Sequence, residues 1–244
     1  MILMDINGGR AHLNGVSFFT DHYVSVAKVV NNKISSDLKQ KEPVQYRWIH
    51  ALQNIPFVRG IAIILESALH SGNLLRILVV INTLLIGGNV YLASIGLYKN
   101  ITFPPIVVLA VFVSALLFVK LTPFAKYHGA EHQTYNAYKQ GVELTIENVR
   151  RMSRVSHMCG TNLVVFSLLA YFVISSLLNI HYALALIMSV SIGYEFFRLD
   201  HKLIILKPLY FLGAFVQQFL VTAEPSERQL EAAIVALKEV RDLP

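Results

Sequence analysis

Residues 124–140 read FAKYHGAEHQTYNAYKQ, a polar stretch wedged between two long apolar runs. Within it His128, Glu131 and His132 stand in the order HxxEH. On a helix, positions 128 and 132 are about one turn apart, ~6 Å of rise, so both imidazoles leave the same face and can grip one metal ion. Glu131 then lies beside them. The order is the reverse of HExxH, in which two histidines hold zinc and the glutamate takes a proton from water on the metal. The same residues also suit an interfacial helix, where His, Tyr and Lys are common anchors.

The flanking runs set the fold class. Apolar residues make up 55% of the chain and charged residues 15%, with a mean hydropathy of +0.53. Soluble domains carry about 25% charged residues, so this is a membrane composition. The formal charge of +6 resides at the ends of the apolar runs. It forms no basic stripe with interleaved aromatics, so no nucleic-acid partner is expected. Cys159 is the single cysteine, which excludes an intrachain disulfide. The opening MILMDINGGR has no basic region leading into a long apolar run, so no cleavable signal peptide is expected.

Upstream, NGGRAHLNGVSFF at 7–19 is punctuated by glycine, and VSVAKVV, NNK and ISSDLKQ at 24–40 read as strand, turn and strand. Residues 1–47 are therefore expected to form a small β-rich domain, with a boundary near Glu42 and Pro43. From Trp48 the pattern becomes helical, Pro56 starts a new helix, and a break is expected at Ser71 and Gly72. Gly60 to Leu69 is too short to span a bilayer, which takes about 20 residues, and reads as a re-entrant or interfacial helix. Spans are expected at Leu74 to Tyr98, Phe103 to Leu121, Asn162 to Leu178 and Tyr182 to Leu199. Leu203 to Val221 either crosses or enters and returns, because Lys207, Pro208, Gln217 and Gln218 interrupt it. The fold class is thus an α-helical polytopic membrane protein with four to five transmembrane helices, a bundle over 48–222. Residues 223–244 form a C-terminal amphipathic helix with Leu230, Ile234 and Leu237 on one stripe.

Six basic residues, Lys120, Lys126, Lys139, Arg150, Arg151 and Arg154, fall in the connection from 120 to 160, against one at 99–103 and none at 179–182. The positive-inside rule puts the HxxEH connection and the amino terminus in the cytoplasm, with the bundle in the inner membrane.

Two histidines need a third ligand, and a catalytic zinc keeps its fourth position for water. Candidates at the same level are His157 and Cys159 of the HMC at 157–159, Glu195 at the cytoplasmic end of its span, and Glu224. Glu195 also suits a partner role for Arg198 or Arg59. The remaining histidines, His12, His22, His50, His70, His181 and His201, read as interfacial or surface residues.

YHGAEHQTYNAYKQG at 127–141, ELTIENVRRMSRVSHMCGT at 143–161, PFVRG at 56–60, YE at 194–195 and TAEPSERQLEAAIVAL at 222–237 together resemble the YqhQ-like family of bacterial membrane proteins, often labelled "predicted metal-dependent enzyme". The resemblance implies a polytopic membrane fold with a metal centre and supplies no substrate.

The function expected from these residues is a metal-dependent hydrolase, its zinc held by His128 and His132 plus Glu195 or His157, with Glu131 as general base. Its substrate is a membrane peptide or lipid, and Arg59 is the cation for a developing oxyanion or a lipid phosphate. The competing expectation is a membrane scaffold or partner-docking module in which four protein ligands close a structural site. A transporter would show inverted repeats and paired broken helices, and the sequence offers at most one broken segment.

Overall fold

A computed structural model describes residues 5–41, 47–69, 88, 91, 95, 105–178, 180–199 and 201–242. The boundary at Glu42 and Pro43, the break at Ser71 and Gly72 and, but for three residues, the span expected at Leu74 to Tyr98 lie outside the described residues. The chain forms two compact units, the first from residues 1–43, 112–161 and 210–244, the second from 44–111 and 162–209.

In the first unit, strands β1 (Gly8–Ala11), β2 (Gly15–Phe19), β3 (Tyr23–Val30) and β4 (Lys33–Gln40) form an antiparallel meander in sequence order. β3 and β4 join through Asn31 and Asn32, at φ of 49° and 59°. A two-residue hairpin turn needs this left-handed pair, and Asn tolerates it better than most residues. In register Val16 faces Ala27 and Phe18 faces Ser25, all four buried on one side of the sheet.

Against the sheet lies the helix Glu227–Arg241, opened by a reciprocal cap between Ser226 and Gln229. Its Leu230, Ala233, Ile234, Leu237 and Val240 recur at helical spacing and are buried. Glu239 accepts hydrogen bonds from the Ser25 hydroxyl, at 2.6 Å, and from that of Ser36, so one carboxylate ties β3 to β4. Tyr127, Ala130 and Ala137, from the helix Pro123–Lys139, complete the same core.

The second unit contains the helices Arg47–Gln53 and Arg59–Leu69. It also holds the helix Gly160–Leu177 from Asn162 onward and the helix Tyr182–Arg198, which pack together around Tyr171, Ile174 and Ala185. The 11-residue helix Arg59–Leu69 packs on Tyr182–Arg198. Glu195 accepts from Arg59 Nε at 2.8 Å, from the same guanidinium a second time, and from the Phe57 amide at 2.8 Å. That amide belongs to a backbone at φ +64°, an uncommon conformation for a bulky residue that the carboxylate holds in place.

Two helical runs among the described residues are long and apolar enough to cross a membrane: Gly160–Leu177 and Ile204–Val221. The latter comprises a 3₁₀ turn, the helix Lys207–Val216 and a π-helical turn Gln217–Val221. The run Leu109–Leu121 and its successor Pro123–Lys139 meet at 82° and would count as a third if taken as one bent span. Val111, Phe118, Val173, Phe211, Phe215 and Phe219 are exposed large apolar side chains on these helices, a surface suited to lipid.

Candidate functional site

The bend before Pro123–Lys139 positions everything else. Thr122 is extended (ψ 159°) and Pro123 opens the helix; proline disfavours a helical residue before it and has no N–H to give the preceding turn. The helix is polar in composition but largely buried, with Glu131, His132, Gln133 and Thr134 at 7%, 2%, 2% and 0% exposure. Buried polar groups require partners.

Most of those partners are backbone carbonyls of a single loop. Gln133 Nε2 donates to the carbonyls of Arg150 and Met152, both at 3.0 Å, and Asn136 Nδ2 to those of Ser153 and Val155, at 2.8 and 3.0 Å. His132 Nδ1 lies 2.6 Å from the carbonyl of Arg154. The loop after the short helix Ile146–Arg150 is thus laid along one helical face, and its continuation is fixed by the buried Gln217, which accepts from the Ser156 amide at 2.8 Å. This path carries Cys159 to the histidines.

Nearer the N-terminus of the same helix the segment 221–223 docks on Ala125, His128 and Gly129. The Ala223 amide donates to the Ala125 carbonyl at 2.8 Å, Lys120 donates to the Thr222 carbonyl, and His128 Nδ1 lies 3.3 Å from the Val221 carbonyl. Gly129 makes the approach possible: a Cβ there would stand 2.3 Å from the Ala223 carbonyl oxygen.

His128, His132 and Cys159 converge, each offering one ligand atom, all within 4.8 Å of one another. Cys159 Sγ is 3.4 Å from His128 Nε2, and the two imidazole centroids are 4.4 Å apart. A carbonyl oxygen only accepts, so each Nδ1 carries the proton and each Nε2 keeps its lone pair. Histidine ligands are commonly oriented in this way. Burial holds His128 down to about 4 and, with His128 beside it, His132 down to about 3, so both rings are neutral at pH 7. Burial pushes the Cys159 thiol up to about 11, against the opposing hydrogen bonds of Thr161. Glu131 is pushed up to about 8 by burial alone, and its Oε2 lies 3.4 Å from His132 Nε2.

A cavity of about 570 Å³ opens onto these groups, entirely within the first unit. Phe124, His128, Glu131 and His132 line one wall, Ser156 and residues 158–161 another, and Asn7 with the strand Gly8–Ala11 a third.

The remaining candidates have other partners. His157 is exposed and packs edge-on against Tyr210, ring centroids 5.6 Å apart. Glu224 pairs with Arg154 at 3.6 Å. Arg59 and Glu195 are each other's partners in the second unit. His181 caps its own helix by accepting from the Ala183 amide. Two parts of the site went unnoticed in the sequence: the carbonyls of Val221 and Arg154, which leave no side-chain signal, and the β1 wall, marked only by the pair Gly8 and Gly9.

Residues 79–243 match the family described as "Protein of unknown function (DUF1385)". The chain belongs to the DUF1385 family. This DUF1385 chain is 32% identical over 139 residues to the uncharacterized protein YqhQ of Bacillus subtilis (strain 168). The aligned part is 51% of this chain and 44% of YqhQ, so it spans less than half of that relative's length. The DUF1385 match takes in His128, Glu131, His132 and Cys159 and begins after the four strands. No solved structure matches.

Proposed function

We propose that His128, His132 and Cys159 hold a divalent metal ion, zinc by the chemistry of two imidazoles and a thiolate, and that the protein is an integral-membrane hydrolase. The substrate is a peptide or lipid reached at the cytoplasmic face of the inner membrane. One observation carries the reading: three convergent donors, both histidines locked by backbone carbonyls, open onto a cavity. Three protein ligands with a free side suit catalysis, whereas four would make a closed structural centre. When bound, zinc supplies Lewis acidity, bringing the pKa of water toward ~7 and polarising a carbonyl.

Glu131 serves as the proton carrier at the cavity edge. Without metal, burial keeps it protonated up to about 8, and the charge of a zinc ion beside it would favour the carboxylate, the form that takes a proton. Arg59 and Glu195 form an ion pair with one another in the second unit, and the three donors and Glu131 belong to the first. The reading sets the four to five apolar runs across the membrane with the amino terminus and the HxxEH segment cytoplasmic, on the basic residues between 120 and 160.

The deciding experiment is metal content by mass spectrometry on detergent-purified protein prepared without chelator. About one zinc per chain is expected in the wild type, and none in His128→Ala/His132→Ala. No metal in the wild type, after zinc, manganese and iron have been offered back, would overturn the reading.

Zinc uptake also releases protons with a defined pH signature. The imidazoles have none to lose at pH 7, but the Cys159 thiol does, and so does Glu131 below about 8. In Glu131→Gln, only the thiol proton remains. Its zinc association constant is expected to rise about tenfold per pH unit between about pH 6 and 8. Adding Cys159→Ser is expected to flatten that slope, as read by competition with a chromophoric chelator.

A further inference from the structure

The sheet wall of the cavity is made of consecutive residues, Asn7 to Ala11. A strand that offered only one face would contribute alternate residues, so the cavity runs along the backbone edge of β1. This is the outermost strand of the meander. The register fixes what that edge presents. His12 N–H donates to the Gly15 carbonyl at 2.8 Å, and the pairs Arg10/Ser17 and Gly8/Phe19 follow it at two-residue steps. These are the hydrogen-bonded pairs, so Gly9 and Ala11, between them, turn their N–H and C=O away from β2 toward the cavity that both residues line, Gly9 half-buried and Ala11 buried. Glu131 lies on the sheet face next to this edge: a Cβ on Gly9 would project to the face that carries Phe18 and come within 2.5 Å of the Glu131 Oε1.

We infer that the substrate is an extended polypeptide segment that pairs with β1 as an added strand, bonded through its main chain to Gly9 and Ala11, with its scissile amide beside Glu131. This rests on the hydrolase reading above. An added strand runs ~4.8 Å from its neighbour and repeats its donors and acceptors every second residue, the spacing at which Gly9 and Ala11 repeat theirs. A phospholipid has ester carbonyls but no such series of N–H donors, and would leave the edge carbonyls unpaired. Recognition through the main chain leaves the cleaved sequence loosely specified. In the reaction, water oxygen bonds to the amide carbon and the C–N bond breaks. The proton taken up by Glu131 goes to the departing nitrogen, and the products are a carboxylate and an amine. No other reactant is needed.

The test uses full-length zinc-loaded protein in nanodiscs. Glu131→Gln is offered mixed-sequence peptides, and the same peptides N-methylated at alternate amides, while hydrogen exchange is followed at Gly9 and Ala11. Unmodified peptide is expected to slow exchange at both amides, and N-methylation to weaken binding about tenfold, the cost of one main-chain hydrogen bond. Wild-type protein is offered the peptides and, separately, phosphatidylglycerol–phosphatidylethanolamine vesicles, with new peptide ends and released fatty acid as readouts. Peptide cleavage with slowed exchange supports the inference. Fatty-acid release with no change at Gly9 and Ala11 overturns it and leaves the hydrolase reading intact. If zinc is bound and neither probe is hydrolysed, the hydrolase reading falls and takes the inference with it.

Discussion

Glu131→Gln is expected to keep its zinc and to lose hydrolytic turnover by about 10²–10⁴-fold, the usual worth of a positioned proton carrier. The substitution preserves shape and removes only the ability to take a proton. Metal content should survive because the three convergent donors do not include Glu131. A variant that loses both zinc and activity would instead make Glu131 a fourth ligand and the centre structural. A fully active variant would remove Glu131 from the chemistry altogether. The metal-free protein offers an independent readout. Folded Glu131 holds its proton to about 8, against an ordinary value of 4.5. Between those two pH values the unfolded chain releases the proton and the folded chain does not, so stability falls as pH rises. Glutamine abolishes that dependence. Metal-free Glu131→Gln should therefore match the wild type near pH 4 and exceed it by a few kcal/mol at about pH 8, as measured by thermal unfolding.

The second large effect is expected at Gly129. Alanine in mid-helix normally gains about 1 kcal/mol over glycine. Here the new Cβ would meet a backbone oxygen, that of Ala223, at 2.3 Å. A backbone carbonyl held on both sides by hydrogen-bonded neighbours cannot rotate away as a side chain would, so the segment 221–223 must lift from the helix. Lifting breaks the Ala223 to Ala125 hydrogen bond and the His128 to Val221 contact. Overpacking of about 1–3 kcal/mol and two lost hydrogen bonds outweigh the propensity gain, for a net loss of about 2–4 kcal/mol. His128 then loses its orienting carbonyl, and zinc affinity should drop about 10–100-fold. Chelator competition and hydrogen exchange across 217–223 measure the two effects. Unchanged exchange there would show that the helix accommodates the methyl group.

What could be read from the sequence was local. The spacing of His128 and His132 specifies one helical face, and it does so without help from the rest of the chain. The hairpin at Asn31 and Asn32 was legible for the same reason: alternation marks the strands, and asparagine accepts the left-handed turn. The third donor was not legible in this way. Cys159 reaches the histidines because Gln133 and Asn136 capture four carbonyls of the intervening loop, and carbonyls have no sequence identity. From residue types alone, His157, Glu195 and Glu224 were equally good candidates. The amphipathic stripe of Glu227–Arg241 likewise announced a buried face but not its partner. A period of 3.6 says that a helix leans on something, and the sheet it leans on here is about 200 residues away in the chain.

That separation orders events during synthesis. The strands emerge with Val16, Phe18 and Ala27 facing a helix, Glu227–Arg241, that has not yet been translated. At about 5–20 residues per second, the wait is on the order of 10–40 s. Over that interval the half-made sheet has an apolar face for a chaperone to shield. The segment that orients His128 also lies just upstream of that final helix, at Val221. His128 therefore meets its carbonyl partner only after residue 221 has been made, whereas His132 finds its own, on Arg154, much earlier in the chain.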